Sequence, residues 1–272
     1  MKNTRFHLVL LALFGLSALT INAAQLASAK VLSVTGTVTN TTENGEESPL
    51  AVGAILKQGD SVMTTAMSNA LLVFSNGSEL VVEENSSLTL AELTQEAFSG
   101  KKSYEQLQAD PSKSQSLLEL NYGKVSGHVK KLRPGSEFFV ETPLGTAAIR
   151  GTNYTVELGY NADRGELLFI VNNKDGKVDI MSRYAGQIEY GRGKVGDKAH
   201  DHTAASDKSH AIPPTHTVVV RLSKDNPHFN EIVNRLKNFP PFQNGNTPPV
   251  IIEDPIQTNP EAEDVELVSP EA

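Results

Sequence analysis

The chain has 272 residues, with 24 Lys and Arg against 32 Asp and Glu, no cysteine and no tryptophan. A formal net charge of −8 argues against nucleic acid as a partner. The lack of cysteine excludes disulfides, thiol catalysis and lipid attachment through cysteine.

Lys2 and Arg5 precede an apolar run from Leu8 to Ile21, and Ala27-Ser28-Ala29 then supplies a small-x-small cleavage site. This is the three-part layout of a secretory signal peptide over residues 1–29, with Ala29 the first choice of cleavage point and Ala24 the second. The apolar run is fourteen residues, short of the roughly 20 that span a bilayer as a helix. An uncleaved anchor is the alternative. The expectation is a chain in the periplasm or secreted, with no transmembrane helix after cleavage.

From Lys30 to about residue 196 short β-prone runs alternate with Gly, Asn and Asp. Val31–Val34 leads to Gly36-Thr37-Val38 and a polar loop over Asn40–Pro49. Val62–Thr64, Ala70–Phe74, Leu80–Val82 and Leu88–Leu90 follow, with the Asn76-Gly77 dipeptide marking a hairpin. Residues 95–116 turn polar, without steady periodicity, and read as a surface insertion with a helical turn or two at Tyr104–Ala109; a partner-binding loop is the functional reading. Phe138–Val140 and Tyr154–Val156 flank the densest motif, E-T-P-L-G-T-A-A-I-R-G-T over residues 141–152. Pro143 fixes one backbone angle, Gly145 and Gly151 permit tight reversals, and Ile149 and Arg150 stand among residues too small to fill a core. Arg150 has two readings, a grip on a carboxylate of a ligand or a cap on groups inside the fold.

Leu167–Val171, Lys177–Met181 and Gln187–Tyr190 extend the β pattern. Residues 197–214 read as a histidine-bearing loop or linker. Residues 215–243 hold a last strand, Thr217–Leu222, and a helix at Phe229–Phe239 whose Phe229, Ile232, Val233 and Leu236 share a face. Residues 244–272 carry seven carboxylates, no Lys or Arg and five prolines, the composition of a disordered tail.

His200, His202, His210 and His216 are the one candidate metal set, since His-x-His on an extended segment can ligate zinc or copper. Their spacing is irregular, and a solvated loop is the plainer account. No nucleophile elbow, phosphate loop or dinucleotide fingerprint occurs. The residues therefore suggest no enzyme and no cofactor.

The motifs in order are a G-x-V opening at Gly36, a V-G-x-x-L-x-x-G-D turn over Val52–Asp60, an N-G-S turn, an L-x-x-G-x-V step over Leu120–Val125, and the run at Thr142-Pro143-Leu144-Gly145 through Ile149-Arg150-Gly151-Thr152. Together they resemble the FecR domain, a bacterial extracytoplasmic β module, over about Ala29–Leu158. The resemblance implies a mainly β, β-solenoid-like stack of short strands with one short C-terminal helix. It implies that Thr142, Pro143, Gly145, Ile149, Arg150, Gly151 and Thr152 are mostly structural. Proteins of this family relay envelope signals to a sigma factor through a cytoplasmic segment and a membrane helix. Only seven residues precede the apolar run here, so the expectation narrows to the binding module, holding an envelope protein or small ligand. A self-associating surface protein is the first alternative, and metal handling by the histidines the second.

Overall fold

The computed structural model describes residues 27–99, 102–161, 164–184, 186–191, 200–204, 209–237 and 239, by backbone alone for 186–191 and 200–204. Most of the expected signal peptide and the acidic tail lie outside the described residues. The strands in chain order are β1 (Ala29–Thr35), β2 (Val38–Thr41), β3 (Glu47–Pro49), β4 (Ile55–Leu56), β5 (Ser61–Thr64), β6 (Asn69–Phe74), β7 (Glu79–Val82), β8 (Ser87–Gln95) and β9 (Ser114–His128). They continue as β10 (Glu137–Thr142), β11 (Gly145–Arg150), β12 (Asn153–Asn161), β13 (Glu166–Asn173), β14 (Lys177–Ser182), β15 (Gly186–Gly191), β16 (His200–Ala204), β17 (Ser209–Ile212) and β18 (His216–Ser223), with helix α1 (Phe229–Leu236) last.

These strands form two long sheets. The first runs β4-β1-β6-β7-β9-β12-β13-β18-β15-β16. The second runs β3-β2-β5-β8-β9-β10-β11-β14-β17. Strand β9 belongs to both: Ser114–Tyr122 pairs in the second sheet and Gly123–His128 in the first. The fold is mainly β, as expected. The chain winds back and forth between the sheets as a stack of short strands does. Its ladders, however, are antiparallel except for β9–β10, so the likeness to a solenoid is loose.

Alternation drives the layering. Along β9, Ser116, Leu118, Leu120 and Tyr122 are buried, the phase slips by one residue at Gly123, and Val125 is buried next. A strand presents alternate residues to opposite faces, so this slip is what lets one strand line the same core from two sheets. Inside, Phe138 meets Phe74 and Tyr154 edge to face at 5.6 and 6.2 Å, contacts worth about 0.5–1.5 kcal/mol each beyond burial. Helix α1 adds Phe229, Ile232 and Leu236 to the core, and Phe239 packs its ring on Tyr122 at 5.7 Å.

One expectation changes. Where a loop was expected over 197–214, the backbone forms β16 and β17, which pair with β15 and β14. The insertion after β8 has a single 3-10 turn, Tyr104–Gln106, within the stretch where a helical turn was expected, and it is fastened down. Leu107 and Asp110 are buried, Ser114 donates to Asp110 at 2.9 Å, and Lys30 reaches Glu105 at 2.6 Å. That ammonium, with Ser103, holds the Glu105 carboxyl down at about 2. Hydrogen bonds to polar neighbours were not visible in a segment without apolar periodicity.

Three corners where the chain changes sheet share one construction. Each is a Gly-x-Val step: Gly36-Thr37-Val38, Gly123-Lys124-Val125 and Gly176-Lys177-Val178. Each glycine lies against a buried hydroxyl-bearing residue from a different corner. A Cβ at Gly36 would stand 2.3 Å from Ser68 Oγ, one at Gly123 2.3 Å from Ser86 Oγ, and one at Gly176 2.6 Å from Thr152 Cβ. The hydroxyls accept backbone N–H groups of the facing step: Thr37 N–H donates to Ser68 at 2.9 Å, Lys124 N–H to Ser86 at 2.8 Å, and Gly176 N–H to Thr152 at 2.9 Å.

Gly123 also has φ +87°, where side-chain-bearing residues are strained. Gly123→Ala is therefore expected to cost about 3 kcal/mol, combining that strain with overpacking, as read from urea unfolding. Tyr154 gives the opposite case. Its hydroxyl is buried without a hydrogen-bond partner among the described residues, and burial pushes its ionisation well above the ordinary phenol range. Tyr154→Phe should leave stability unchanged or raise it by up to about 1 kcal/mol, since the lost group makes no bond.

Candidate functional site

The 141–152 motif folds as a hairpin running into a corner. Strands β10 and β11 are joined by Pro143-Leu144, with Thr142 facing Gly145. The Thr142 hydroxyl accepts from the N–H groups of Leu144 and Gly145, both at 3.2 Å, which closes the turn. A Cβ at Gly145 would lie 2.4 Å from the Met181 carbonyl oxygen, so glycine lets β11 approach β14. Ile149 is fully buried in the core. Gly151 has φ +59° and turns the chain out of the second sheet.

Thr152 is the centre of a polar knot. It is 1% exposed, and its hydroxyl donates to Asp175 Oδ1 at 2.7 Å while accepting from Gly176. Asp175 also accepts from Asn153, backbone N–H at 2.9 Å and side-chain amide at 2.8 Å. Asn173, fully buried, lies 3.0 Å from the Thr152 hydroxyl and donates to the carbonyls of Gly176 at 2.9 Å and Ile212 at 2.8 Å. One cluster thus ties the β11–β12 corner to the β13–β14 corner and to β17. The Thr152 hydroxyl, then the two Asn153 donors, hold the Asp175 carboxyl below its usual range. Asn173 and Asp175 were missed in the sequence. Their only signal is the turn-rich run Asn172-Asn173-Lys174-Asp175-Gly176, and nothing local pairs it with Thr152.

Arg150 corrects the expectation of an internal cap. It stands exposed at the end of β11, opposite Lys177 in the register, and makes no hydrogen bond or ion pair among the described residues. The four histidines are not gathered. His200, His202 and His216 lie on strands of the first sheet, opposite Tyr190, Ile188 and Asn173, whereas His210 lies on the second sheet opposite Ile180. His216 Nδ1 is 2.8 Å from the Pro214 carbonyl. Among the described residues no group of three His, Asp or Glu could hold a metal ion, and no helix is long and apolar enough to cross a membrane.

A surface depression lies between the insertion and the loop before β10, an open groove of about 650 Å³ lined in part by Glu96, Ser112, Lys113 and Arg133. Arg133 Nε donates to the Asp110 carbonyl at 3.2 Å, so this cation helps fasten the insertion.

Residues 60–179 match the family model described as FecR protein. The matched stretch begins beside β5 and ends within β14, and it contains Ser68, Ser86, Gly123, Thr152 and Gly176. No curated protein matches the chain. Two crystal structures, at 1.65 and 2.50 Å resolution, of a protein described as a "putative anti-sigma factor" from Parabacteroides distasonis are similar at 12% identity, over 61% of this chain and 60% of theirs, with a TM-score of 0.35. The chain thus spans less than two thirds of the length of those structures, and a likeness at that level carries nothing further.

Thr152→Val keeps the shape and deletes the hydroxyl, leaving buried partners unsatisfied. It should lower stability by about 2–3 kcal/mol, with Thr152→Ser recovering most of that. Asp175 adds a pH signature. Because its folded pKa is depressed, its contribution is present above the unfolded value near 3.8 and disappears as pH falls through the folded one. The difference in urea midpoint between the wild type and Asp175→Asn should therefore be small at pH 6, the carboxylate being exposed, and close below pH 4.

Proposed function

We propose that this chain is an exported, non-catalytic binding module of the bacterial cell envelope that holds a protein partner in a signalling-related process. The FecR match at residues 60–179 supports the signalling-related envelope setting. The observation that carries the binding role is how the buried polar side chains are employed. Ser68, Ser86, Thr142, Thr152 and Asn173 are committed to bracing turns. A fold that fixes its corners this way offers a rigid surface, and rigidity lowers the ordering cost of association.

Three of the four sheet edges, all but β16, favour a discrete module over a self-associating one. Edge strand β3 is three residues with Glu47 and Pro49, β4 is two residues, and β17 runs into Pro213-Pro214. Short edges bearing proline and charge resist pairing with another copy.

Burial at the N-terminus favours cleavage after Ala24 over Ala29. Ser28 accepts from Ser75 N–H at 2.9 Å through its carbonyl, its hydroxyl is 2.9 Å from that of Tyr104, and Ala29 is fully buried and paired with Leu56 and Phe74. Cutting after Ala29 would remove all of these.

Fractionation of the producing cell, with terminal sequencing of the product, tests export. The expected product lies in the envelope or medium and begins at Gln25. One beginning at Lys30 sinks the cleavage argument, and an unprocessed cytosolic chain sinks export itself. Binding is tested by in-cell cross-linking from the envelope fraction, with sedimentation at rising concentration alongside. A stable heteromeric product and a constant monomer sedimentation coefficient are expected. Self-association without a heteromeric product would replace this reading with the structural one.

A further inference from the structure

The binding-module reading leaves the binding face unassigned, and the two sheets differ in what they offer. On the first sheet, Leu168, Ile170 and Val219 alternate with the core residues Leu167, Phe169, Val171, Val218 and Val220, yet each is at most 6% exposed. That face is not open there. On the second sheet the alternate residues of β9, β10 and β11 all retain exposure.

Across this open face the registers align one row. Glu92 on β8 faces Leu117 on β9, Leu117 faces Phe139 on β10, and Phe139 faces Ala148 on β11. Three outward apolar side chains thus sit on adjacent strands, spanning about 10 Å at the usual spacing between strands. Carboxylates flank them on β8, β9 and β10, while Arg150 and Lys177 stand on the same face beyond Ala148. Glu92 stands at one end, Glu137 lies two residues from Phe139 along β10, and Glu119 and Glu141 face each other on the other side. Glu141 is ion-paired with Arg183, whereas Glu92, Glu119 and Glu137 have no cationic partner among the described residues. Glu119 and Glu141 are the one facing pair of like charges, a placement that destabilises a sheet, and Arg183 already offsets Glu141, so the charge left for a cationic ligand is that of Glu92, Glu119 and Glu137.

We propose that the outer face of the second sheet, centred on Leu117, Phe139 and Ala148, is the docking face for a basic amphipathic helix of a protein partner. The lengths agree: residues i and i+7 of a helix stand about 10.5 Å apart along its axis, so a stripe at i, i+3/i+4 and i+7 covers the apolar row. Lysines or arginines flanking that stripe reach the carboxylates of β8, β9 and β10. This proposal rests on the binding-module reading and adds the face and the partner's chemistry to it.

The probe is a synthetic Lys/Leu peptide with leucines at i, i+3, i+4 and i+7, titrated into the purified isotope-labelled chain, with a Glu/Leu peptide of the same pattern as control. The Lys/Leu peptide should shift the amide resonances of Leu117, Phe139 and Ala148, and the Glu/Leu peptide should shift none of them. Glu92→Gln, Glu119→Gln and Glu137→Gln combined should weaken its Kd by about tenfold or more. A charge-matched triple in the β2–β3 loop region, Glu43→Gln, Glu46→Gln and Glu47→Gln, should leave Kd within about twofold. Shifts centred elsewhere, or equal weakening by both triples, overturn the proposal. In-cell cross-linking separates it from the reading beneath it. If wild type and the face triple capture the same partner equally well, this face falls and the binding module stands. If neither captures a partner, both fall.

Discussion

A two-sheet stack whose chain keeps changing layers depends on its corners. At each change the backbone leaves a ladder, and its N–H and C=O groups lose their regular partners where little water reaches. An orphaned buried group costs about 1–3 kcal/mol. Here a buried hydroxyl from a second corner supplies the missing partner. Ser68, Ser86 and Thr152 each meet the backbone of a facing Gly-x-Val step. Only a residue without Cβ admits the hydroxyl at that distance, so glycine and hydroxyl are two halves of one device. The brace joins segments far apart in sequence, 31 residues for Ser68 and Thr37 and 38 for Ser86 and Lys124. Each therefore fixes the relation between layers as well as a local turn.

The device also bears on how a domain without cysteine holds its layers together. A cross-link stabilises chiefly by restricting the unfolded chain, whereas these hydroxyl braces act on the folded state. They keep the two layers in register while the core between them carries the favourable burial. The FecR match encloses the Ser86–Gly123 and Thr152–Gly176 braces entirely, and it includes Ser68 but not its partner Gly36. The glycines and threonines of the 141–152 motif fall into place within this scheme: Thr142 closes a turn, Gly145 allows two strands to approach, and Thr152 braces a corner.

What was legible in the sequence follows from range. Glycine-punctuated strands, the Asn76-Gly77 hairpin and the apolar stripe of α1 are local patterns, and the expected strands over residues 31–190 correspond to observed ones. The Gly-x-Val steps at Gly36 and Gly123 were visible as motifs, but their partners were not, because Ser68 and Ser86 look like any polar turn residue until the fold brings them opposite. β9 shows the same limit. Its alternation slips by one residue at Gly123, which in a linear reading is noise and in the fold is the passage between sheets. The strands β16 and β17 were hidden for another reason: His, Asp, Thr and Ser carry little apolar periodicity, so their pairing is decided by neighbours β15 and β14 rather than by their own composition. Of the two readings of Arg150, a grip on a ligand carboxylate and a cap inside the fold, the second falls because its position at the last residue of β11 turns it to solvent.

A surface held so firmly constrains what recognition can look like. Strand faces have no depth, so the open side of the second sheet cannot enclose a small molecule. It can meet a complementary surface only by presenting a fixed pattern of apolar and charged side chains. The cross-strand registers set that pattern, since Leu117, Phe139 and Ala148 stand on laddered strands whose inner residues, Leu118, Val140 and Ala147, are fully buried. Little conformational entropy is left to lose on this side, and so the affinity for a partner depends mainly on how well that partner's own side chains are ordered beforehand. The same corners that solve a folding problem thereby determine which partners a flat face can distinguish.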